Sequence, residues 1–314
     1  MKDLFAVVML SGIYSLLSAC FFVAMNAVDV AITEASVGAC ISTLLMLTAI
    51  TMTGNCKKRD YHKPLTALLV VSVTGGLLIY GTLDMPYFGS AEAPAHVHVA
   101  PRYINDSFQE TGVVNMVTAI LASYRAFDTL GEVVVIFTAG IGVLALISAS
   151  PTAREDATSG AANHSMHEQH LSLRITTKML LPFIMLFAFY VQFHGDFGPG
   201  GGFQAGVIFS AAIVLYSMLF GLRTARRVIN QTFTKLFAAF GILLYGSTGL
   251  ISLQNGGRFL DYNFFLNDPI AGQHLGILLI ELGVGCTVAS TMIIIIFSFT
   301  GRLEDLQNRK NGQA

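Results

Sequence analysis

The sequence has no tryptophan, and charged residues make up only 12% of its 314 positions. Hydrophobic residues make up 54%, and the mean hydropathy is +0.64, values that ordinary soluble domains do not approach. The formal net charge of -1 excludes a nucleic-acid-binding protein, because such proteins carry a clear basic excess. The composition therefore predicts an integral membrane protein.

Cysteine is scarce and scattered as well. The four cysteines have no close spacing, so they fit neither a disulfide framework nor a metal or iron–sulfur site. Three of them fall inside apolar runs, and we expect small core residues at Cys20, Cys40, Cys56 and Cys286. No nucleotide-binding or phosphate-loop fingerprint is present either. We therefore predict no cofactor and no metal.

Nine apolar runs approach the length of about 20 residues that a helix needs to cross a bilayer. The first run lacks a basic start and a cleavage site, so we expect a retained span rather than a signal peptide. The pattern predicts an all-α polytopic membrane protein of about nine transmembrane helices in a five plus four arrangement. The runs cover residues 4–25, 28–53, 64–82, 108–123, 129–149, 175–193, 201–221, 234–251 and 270–299.

A small and polar stretch at residues 150–172 is predicted to be a linker. It separates a first membrane domain at 1–149 from a second at 173–300, and a polar tail follows at 301–314. Three histidines recur every third residue within the linker, a spacing that suits a metal only if the segment is ordered. Because short His-containing linkers usually bind nothing specific, we predict no metal at His164, His167 and His170.

The distribution of Lys and Arg bears on orientation, since cytoplasmic loops carry the excess. With nine spans, 11 of the 18 basic residues fall on the side of the C-terminus and seven on the other. This predicts a multi-pass protein of the inner (plasma) membrane with a cytoplasmic C-terminus. The basic cluster at 57–63 would then lie outside, against the rule.

A glycine-rich hinge at residues 194–206 separates the sixth and seventh runs. Non-helical backbone at membrane depth is buried in protein or lines a wet cavity, and broken helices beside charged groups commonly form ion sites. The alternative is a tight turn outside the membrane. The candidate ion-path residues here are His194 and Asp196, and the structural hinge is Pro199, Gly200, Gly201 and Gly202.

Acidic residues inside apolar runs are functional candidates because an unpaired charge there costs several kcal/mol. Asp29 lies near the start of the second run, where capping of the helix is the alternative, and Glu34 lies deeper. Asp128 and Glu132 lie one turn apart, and the pattern Thr129-x-x-Glu132 equally fits a capping box. The same pattern at Ser107 and Glu110 favours a cap.

Two polar residues in the last run, His274 and Glu281, are seven positions apart and therefore share a helix face. Asp268-Pro269 predicts the start of that helix. Lys178, at the start of the sixth run, is a candidate cationic counterpart, and a lysine reaching for the membrane surface is the alternative.

At these residues the chain resembles a known family. Residues 29–38 and 127–132 resemble the C-terminal extension of the large subunit of Mrp-type multisubunit cation/proton antiporters, a region found as small subunits (MbhD and MbhE) in archaeal membrane-bound hydrogenases. Residues 171–299 resemble the MnhB/MrpB subunit of the same complexes, with Pro182, His194-Gly195 and 199–203 as the matching motifs.

The resemblance implies an antiporter subunit that passes Na+ or H+ beside large complex I-like antiporter subunits. Glu34 and Glu132 would belong to the polar path of the first half, and Lys178, His194 and Glu281 to that of the second. Where the family has His-Gly-His, this chain has Asp196 at the third position, which exchanges a titrating imidazole for a carboxylate.

Two other functions fit the same residues. The carboxylates could hold helix interfaces without conducting ions, or the chain could be the ion-translocating membrane subunit of a hydrogenase-like or other ferredoxin-linked complex. A self-sufficient secondary carrier is not expected, because the two halves show no inverted repeat.

Overall fold

The computed structural model describes residues 3–53, 64–87, 89–148 and 171–312. The described chain is helical, and eight of its helices are long and apolar enough to cross a membrane, which confirms the all-α polytopic class. Four precede the predicted linker and four follow it. They are α1 (Leu4–Ala24), α2 (Val28–Thr53), α3 (Pro64–Thr82), α4 (Ala126–Ser148), α5 (Leu171–His194), α6 (Gly202–Phe220), α7 (Gln231–Gln254) and α8 (Pro269–Gly312).

The prediction of a span at 108–123 is wrong. That run forms three short helical segments, Ser107–Thr111, Met116–Ala119 and Ile120–Tyr124, none of which is long enough to cross a bilayer. Gly112 ends the first segment with a φ of +72°, a left-handed conformation that stops a helix. The arrangement among the described residues is therefore four plus four.

Helix α8 is the centre of the fold, and α4, α6 and α7 pack directly against it. Small residues make the close approach possible. A Cβ added to Gly202 of α6 or to Gly241 of α7 would overlap the backbone of α8, at Glu281 and Gly283 respectively. Because its neighbours come so close, α8 is buried along most of its apolar length, down to Phe297.

Helices α1 and α2 form a hairpin at the edge of this core. The central part of α2, Glu34–Ser42, has π-helical hydrogen bonding, a feature that often occurs at functional positions. Helix α3 differs from all the others, because none of the residues in its apolar window is buried. Its apolar surface therefore faces outward from the described chain on every side.

The helices run in alternating directions through the bundle. The start of α2 lies against the hinge, and so does the start of α6, while α1 and α5 end there. Eight crossings place the N-terminal start of α1 and the C-terminal end of α8 on the same side, opposite the hinge. The nine-span prediction had placed them on opposite sides.

Several predictions need a separate outcome. Cys20 and Cys40 are exposed and Cys286 is partly exposed, so the expectation of core cysteines is wrong for the first two. Asp268 accepts a hydrogen bond from the amide of Ile270 (3.1 Å), which confirms the helix start there. The linker prediction, its three histidines, Cys56 and the basic cluster at 57–63 fall wholly or almost wholly outside the described residues.

A cavity between the two halves

Three predicted carboxylates from distant parts of the sequence line one cavity of about 180 Å³. Asp29 comes from the first turn of α2, Glu132 from the second turn of α4, and Glu281 from the middle third of α8's apolar run. Thr118 and Gln204 add polar groups to the wall. The cavity has room for several water molecules. The sequence could predict each carboxylate but not their convergence.

The hinge forms one wall of this cavity through Gly200, Gly201 and Gly202. The buried interpretation of the hinge therefore applies, and the extramembrane turn does not. An added Cβ at Gly195 or Gly201 would lie 2.9 Å or 3.1 Å from the carboxylate oxygens of Glu281. The absence of side chains at these positions is what lets the glutamate approach the hinge backbone.

Asp29 is fixed to the hinge instead of capping its own helix. Helix α2 begins without a side-chain cap, and Oδ1 of Asp29 accepts a hydrogen bond from the backbone N–H of Gly200 at 3.1 Å. One turn later in α2, the hydroxyl of Thr33 accepts a hydrogen bond from Nε2 of Gln204 at 3.1 Å. The capping interpretation of Asp29 is wrong, and its carboxylate connects the first half of the chain to the second.

Asn115 is the residue that the sequence analysis missed. Its side-chain amide donates to the carbonyls of Gly198 (2.8 Å) and Gly195 (3.1 Å) and lies 3.5 Å from Oδ1 of Asp29. Its own Oδ1 accepts from the N–H of Val117 and caps the Met116–Ala119 segment. An asparagine after a left-handed glycine and before a short helical run is the signal that would have identified it.

The carbonyls of the hinge are therefore occupied by this segment. Gly195 accepts a second hydrogen bond from the hydroxyl of Thr118 at 2.7 Å, and the carbonyl of Asp196 accepts from the backbone N–H of Asn115 at 3.0 Å. Since these oxygens already have donors, the carboxylates are the oxygen atoms best placed to receive a cation or a proton in the cavity.

Asp196 and His274 form an ion pair next to the cavity, with 3.1 Å between Oδ2 of the aspartate and Nδ1 of the histidine. Both side chains are partly exposed, and His274 lies two turns before Glu281 on the same face of α8. His194 is nearby at the end of α5, where its ring stacks on Tyr190 (4.8 Å between centroids) and lies against Gly198.

The remaining candidates do not reach the cavity. Glu34 is directed into the α1–α2 hairpin, where an added Cβ on Gly38 would contact both its carboxylate and the hydroxyl of Ser15. Asp128 is more than half exposed and pairs with Arg125 at 2.7 Å. Lys178 lies 16 residues before His194 on α5, about 24 Å away by helical rise. Its ammonium group lies over the ring of Phe220, 5.3 Å from the centroid, at the opposite end of the bundle from the hinge.

Neither predicted capping box forms. Helix α4 already begins at Ala126, and the hydroxyl of Thr129 donates to the carbonyl of Leu121 (2.8 Å), which leaves Glu132 free to line the cavity. Glu110 instead accepts hydrogen bonds from Tyr124 and Arg102. Within the described ranges, no three His, Cys, Asp or Glu side chains cluster closely enough to hold a metal ion.

Family models match three successive parts of the chain. Residues 1–55 match the MbhD subunit and residues 69–163 the MbhE subunit of the membrane-bound complex MBH. Residues 172–294 match a domain related to the MnhB subunit of Na+/H+ antiporters. Asp29 lies in the first of these regions, Glu132 in the second and Glu281 in the third.

Among characterised relatives, a Na+/H+ antiporter subunit of Bacillus subtilis is 34% identical over 140 residues, which cover 40% of this chain and 97% of that protein. The putative antiporter subunit mnhB2 of Staphylococcus haemolyticus is 32% identical over 139 residues, covering 43% of this chain and 98% of that protein. Both relatives are therefore matched along almost their whole length by less than half of this chain.

Two solved structures resemble the fold. A chain of the Mrp complex from Dietzia sp. DQ12-45-1b has a TM-score of 0.73 at 25% identity, and the match covers 95% of this chain but only 32% of that one. A chain of the archaeal membrane-bound sulfane sulfur reductase has a TM-score of 0.54 at 29% identity, covering 76% of this chain and 98% of that one. The chain belongs to the MnhB-related family of Na+/H+ antiporter subunits, and it is a membrane subunit of the Mrp type.

Proposed function

We propose that this chain provides part of the ion path of a Na+/H+ antiporter, with Asp29, Glu132 and Glu281 as the groups that exchange a proton for a monovalent cation. The convergence of these carboxylates on one cavity carries the proposal. A carboxylate inside a membrane domain binds either a proton or a cation to limit the cost of its buried charge. Competition for the same oxygens couples the two ions.

The surrounding residues suit this exchange. Asn115 and Thr118 keep the hinge carbonyls occupied, so the carboxylates receive the ion. The Asp196–His274 pair adjoins Glu281, and a histidine titrates near neutral pH, which suits it to deliver protons to the cavity. Protons would therefore reach Glu281 from the hinge side of the bundle.

The eight-span arrangement supports a cytoplasmic location for both termini in the plasma (inner) membrane. Fifteen of the 18 basic residues belong to the side opposite the hinge, including the cluster at 57–63, and three belong to the hinge side. The carboxylate cavity then lies toward the outer face. The three basic residues on the hinge side are Arg102, Arg125 and Arg258.

Other subunits of the complex, including large complex I-like antiporter subunits, are the proposed partners. Glu132 is exposed although it lines the cavity, so the cavity opens at the surface of this chain. Helix α3 has a wholly exposed apolar window. Both features are what a subunit shows when neighbouring chains complete its surface.

The test uses the assembled complex in proteoliposomes, with Na+-dependent collapse of a pH gradient as the readout. We expect Glu281→Gln, Asp29→Asn and Glu132→Gln each to lower the exchange rate at least about tenfold, the equivalent of about 1.4 kcal/mol in the barrier. Glu110→Gln is the matched control, because that glutamate is exposed and pairs with Arg102 outside the cavity.

Assembly must be measured beside transport, as the amount of each partner subunit that copurifies. Unchanged exchange in all three cavity variants would overturn the proposal. A loss of assembly at unchanged specific activity would instead establish a structural role for the carboxylates. Glu34→Gln extends the test, since it asks whether the α1–α2 hairpin also belongs to the path.

A second candidate function follows from the likeness to the sulfane sulfur reductase chain, which this protein matches along 98% of that chain's length. In that case the same cavity would couple ion movement to electron transfer in iron–sulfur subunits. Purification of the tagged protein in mild detergent distinguishes the two functions. Large antiporter-like subunits without redox subunits favour the antiporter, and copurifying iron–sulfur subunits favour the redox-coupled complex.

A further inference from the structure

A second and larger cavity lies on the other side of the core. It is a groove of about 970 Å³, open to the exterior and lined mainly by apolar side chains of α5, α6, α7 and α8. Helices α5 and α7 form its sides, while small residues such as Ala205, Gly206 and Gly285 lie along it and keep it deep. None of the three carboxylates of the first cavity lines it.

The groove has the length of one leaflet. Its lining residues on α5 run from Leu181 to Phe193, which is about 18 Å by helical rise. Half of the hydrocarbon core of a bilayer is about 15 Å thick. An acyl chain that enters at one end of the groove would therefore be covered along most of its length.

Two cations stand at the cytoplasmic end of the same stripe. Lys178 and Arg174 precede Leu181 by three and seven residues, so they continue the groove-facing side of α5 toward its start. Their charged groups lie 5.3 Å and 5.2 Å from the centroid of the Phe220 ring. Phe220 in turn follows Tyr216, a groove residue of α6, by one turn.

We infer that the groove is a binding site for an anionic phospholipid of the cytoplasmic leaflet. The phosphate would pair with Lys178 and Arg174, and an acyl chain would occupy the groove below them. Basic side chains between membrane helices on the cytoplasmic side are a known way of binding anionic head groups, and that leaflet is rich in them. Charge at the mouth and an apolar interior of matching length favour a lipid over a partner helix.

The test compares phosphatidylglycerol with phosphatidylcholine, each added to the purified, partly delipidated complex. We expect phosphatidylglycerol to raise the apparent unfolding midpoint of the wild-type complex more than phosphatidylcholine does. Lys178→Gln should remove most of that difference, and Lys178→Arg should retain it. Lys235→Gln is the matched control, because Lys235 is a cytoplasmic-side lysine that lines a different, small pocket next to α4.

A photoreactive residue in place of Phe189, which lines the groove, provides an independent readout in native membranes. Crosslinking to phospholipid supports the inference. Crosslinking to a transmembrane segment of another subunit, or an equal response of the Lys178→Gln and wild-type complexes to phosphatidylglycerol, overturns it. Neither outcome depends on ion exchange, so failure of the lipid site and failure of the ion path can be told apart.

Discussion

Replacement of Asn115 tests the architecture of the carboxylate cavity most directly. In Asn115→Ala the Met116–Ala119 segment loses its cap, which costs about 1 kcal/mol. The carbonyl of Gly198 also loses the donor at 2.8 Å, and a partly buried carbonyl without a partner costs about 1–2 kcal/mol. The carbonyl of Gly195 retains Thr118 and contributes little. The total is about 2–3 kcal/mol.

Asn115→Ser separates these two contributions. Serine is a good cap but is too short to donate to the hinge, so we expect a cost of about 1–2 kcal/mol, between those of wild type and alanine. Calorimetry of the purified protein provides the measurement, with about 2–4 °C of midpoint shift for each kcal/mol. Asn105→Ala, at an exposed asparagine, is the control and should change the midpoint by less than about 0.5 kcal/mol.

A transport measurement on the same variants extends the argument. Because Asn115 holds the hinge strand that donates to Asp29, its loss should raise the Na+ concentration needed for half-maximal exchange in the assembled complex. If Asn115→Ala matched the wild type in both midpoint and Na+ dependence, the hinge would not need its side-chain donors. The cavity would then have to be held in shape by helix packing alone.

Three further outcomes follow from packing and charge. Gly202→Ala should lower the yield of folded protein sharply, because its Cβ would overlap the backbone of α8, whereas alanine at the outward-facing Gly142 should be tolerated; expression and detergent gel filtration measure both. Tyr245→Phe should cost about 1–3 kcal/mol in calorimetry, because the buried hydroxyl donates to the carbonyl of Ala126 at 2.7 Å and the phenylalanine leaves that carbonyl unpaired. A hydrogen bond from Tyr124 lowers the pKa of Glu110 below its ordinary value of 4.5, so the small stabilisation present above that pH is lost as the pH falls through the lowered value. The drop in midpoint between pH 6 and pH 4 should be smaller in Glu110→Gln, and an identical drop in both proteins would contradict the interaction.

The membrane class, the long helices and the hinge were predictable because each depends on local sequence. Twenty apolar residues in succession, or three consecutive glycines beside a proline, have few structural interpretations. The capping boxes failed for the same local reason in reverse. Ser-x-x-Glu and Thr-x-x-Glu are short patterns, and tertiary partners such as Arg102 and the carbonyl of Leu121 overrode both of them.

The composition of the cavity was not predictable, because it depends on which helix faces meet. Asp29 and Glu281 are 252 positions apart, and helical periodicity assigns each of them a face without naming the neighbour. Asn115 lies in a stretch too short and polar for a clear period, so neither its cap nor its hinge contacts could be inferred. Lys178 shows the opposite limit, since its charge was noticed but its position at the far end of α5 required the packed helices.

The cavity between the halves has a consequence for biogenesis. The Bacillus subtilis relative is matched along 97% of its length by 40% of this chain, so a protein of that size does not include counterparts of both Asp29 and Glu281. In this protein one translation product carries both carboxylates, and the intervening segment holds the halves at an effective concentration on the order of millimolar. Their pairing is then independent of expression level, their ratio is fixed at one to one, and each ribosome that completes the chain delivers every carboxylate of the cavity to the same membrane insertion site.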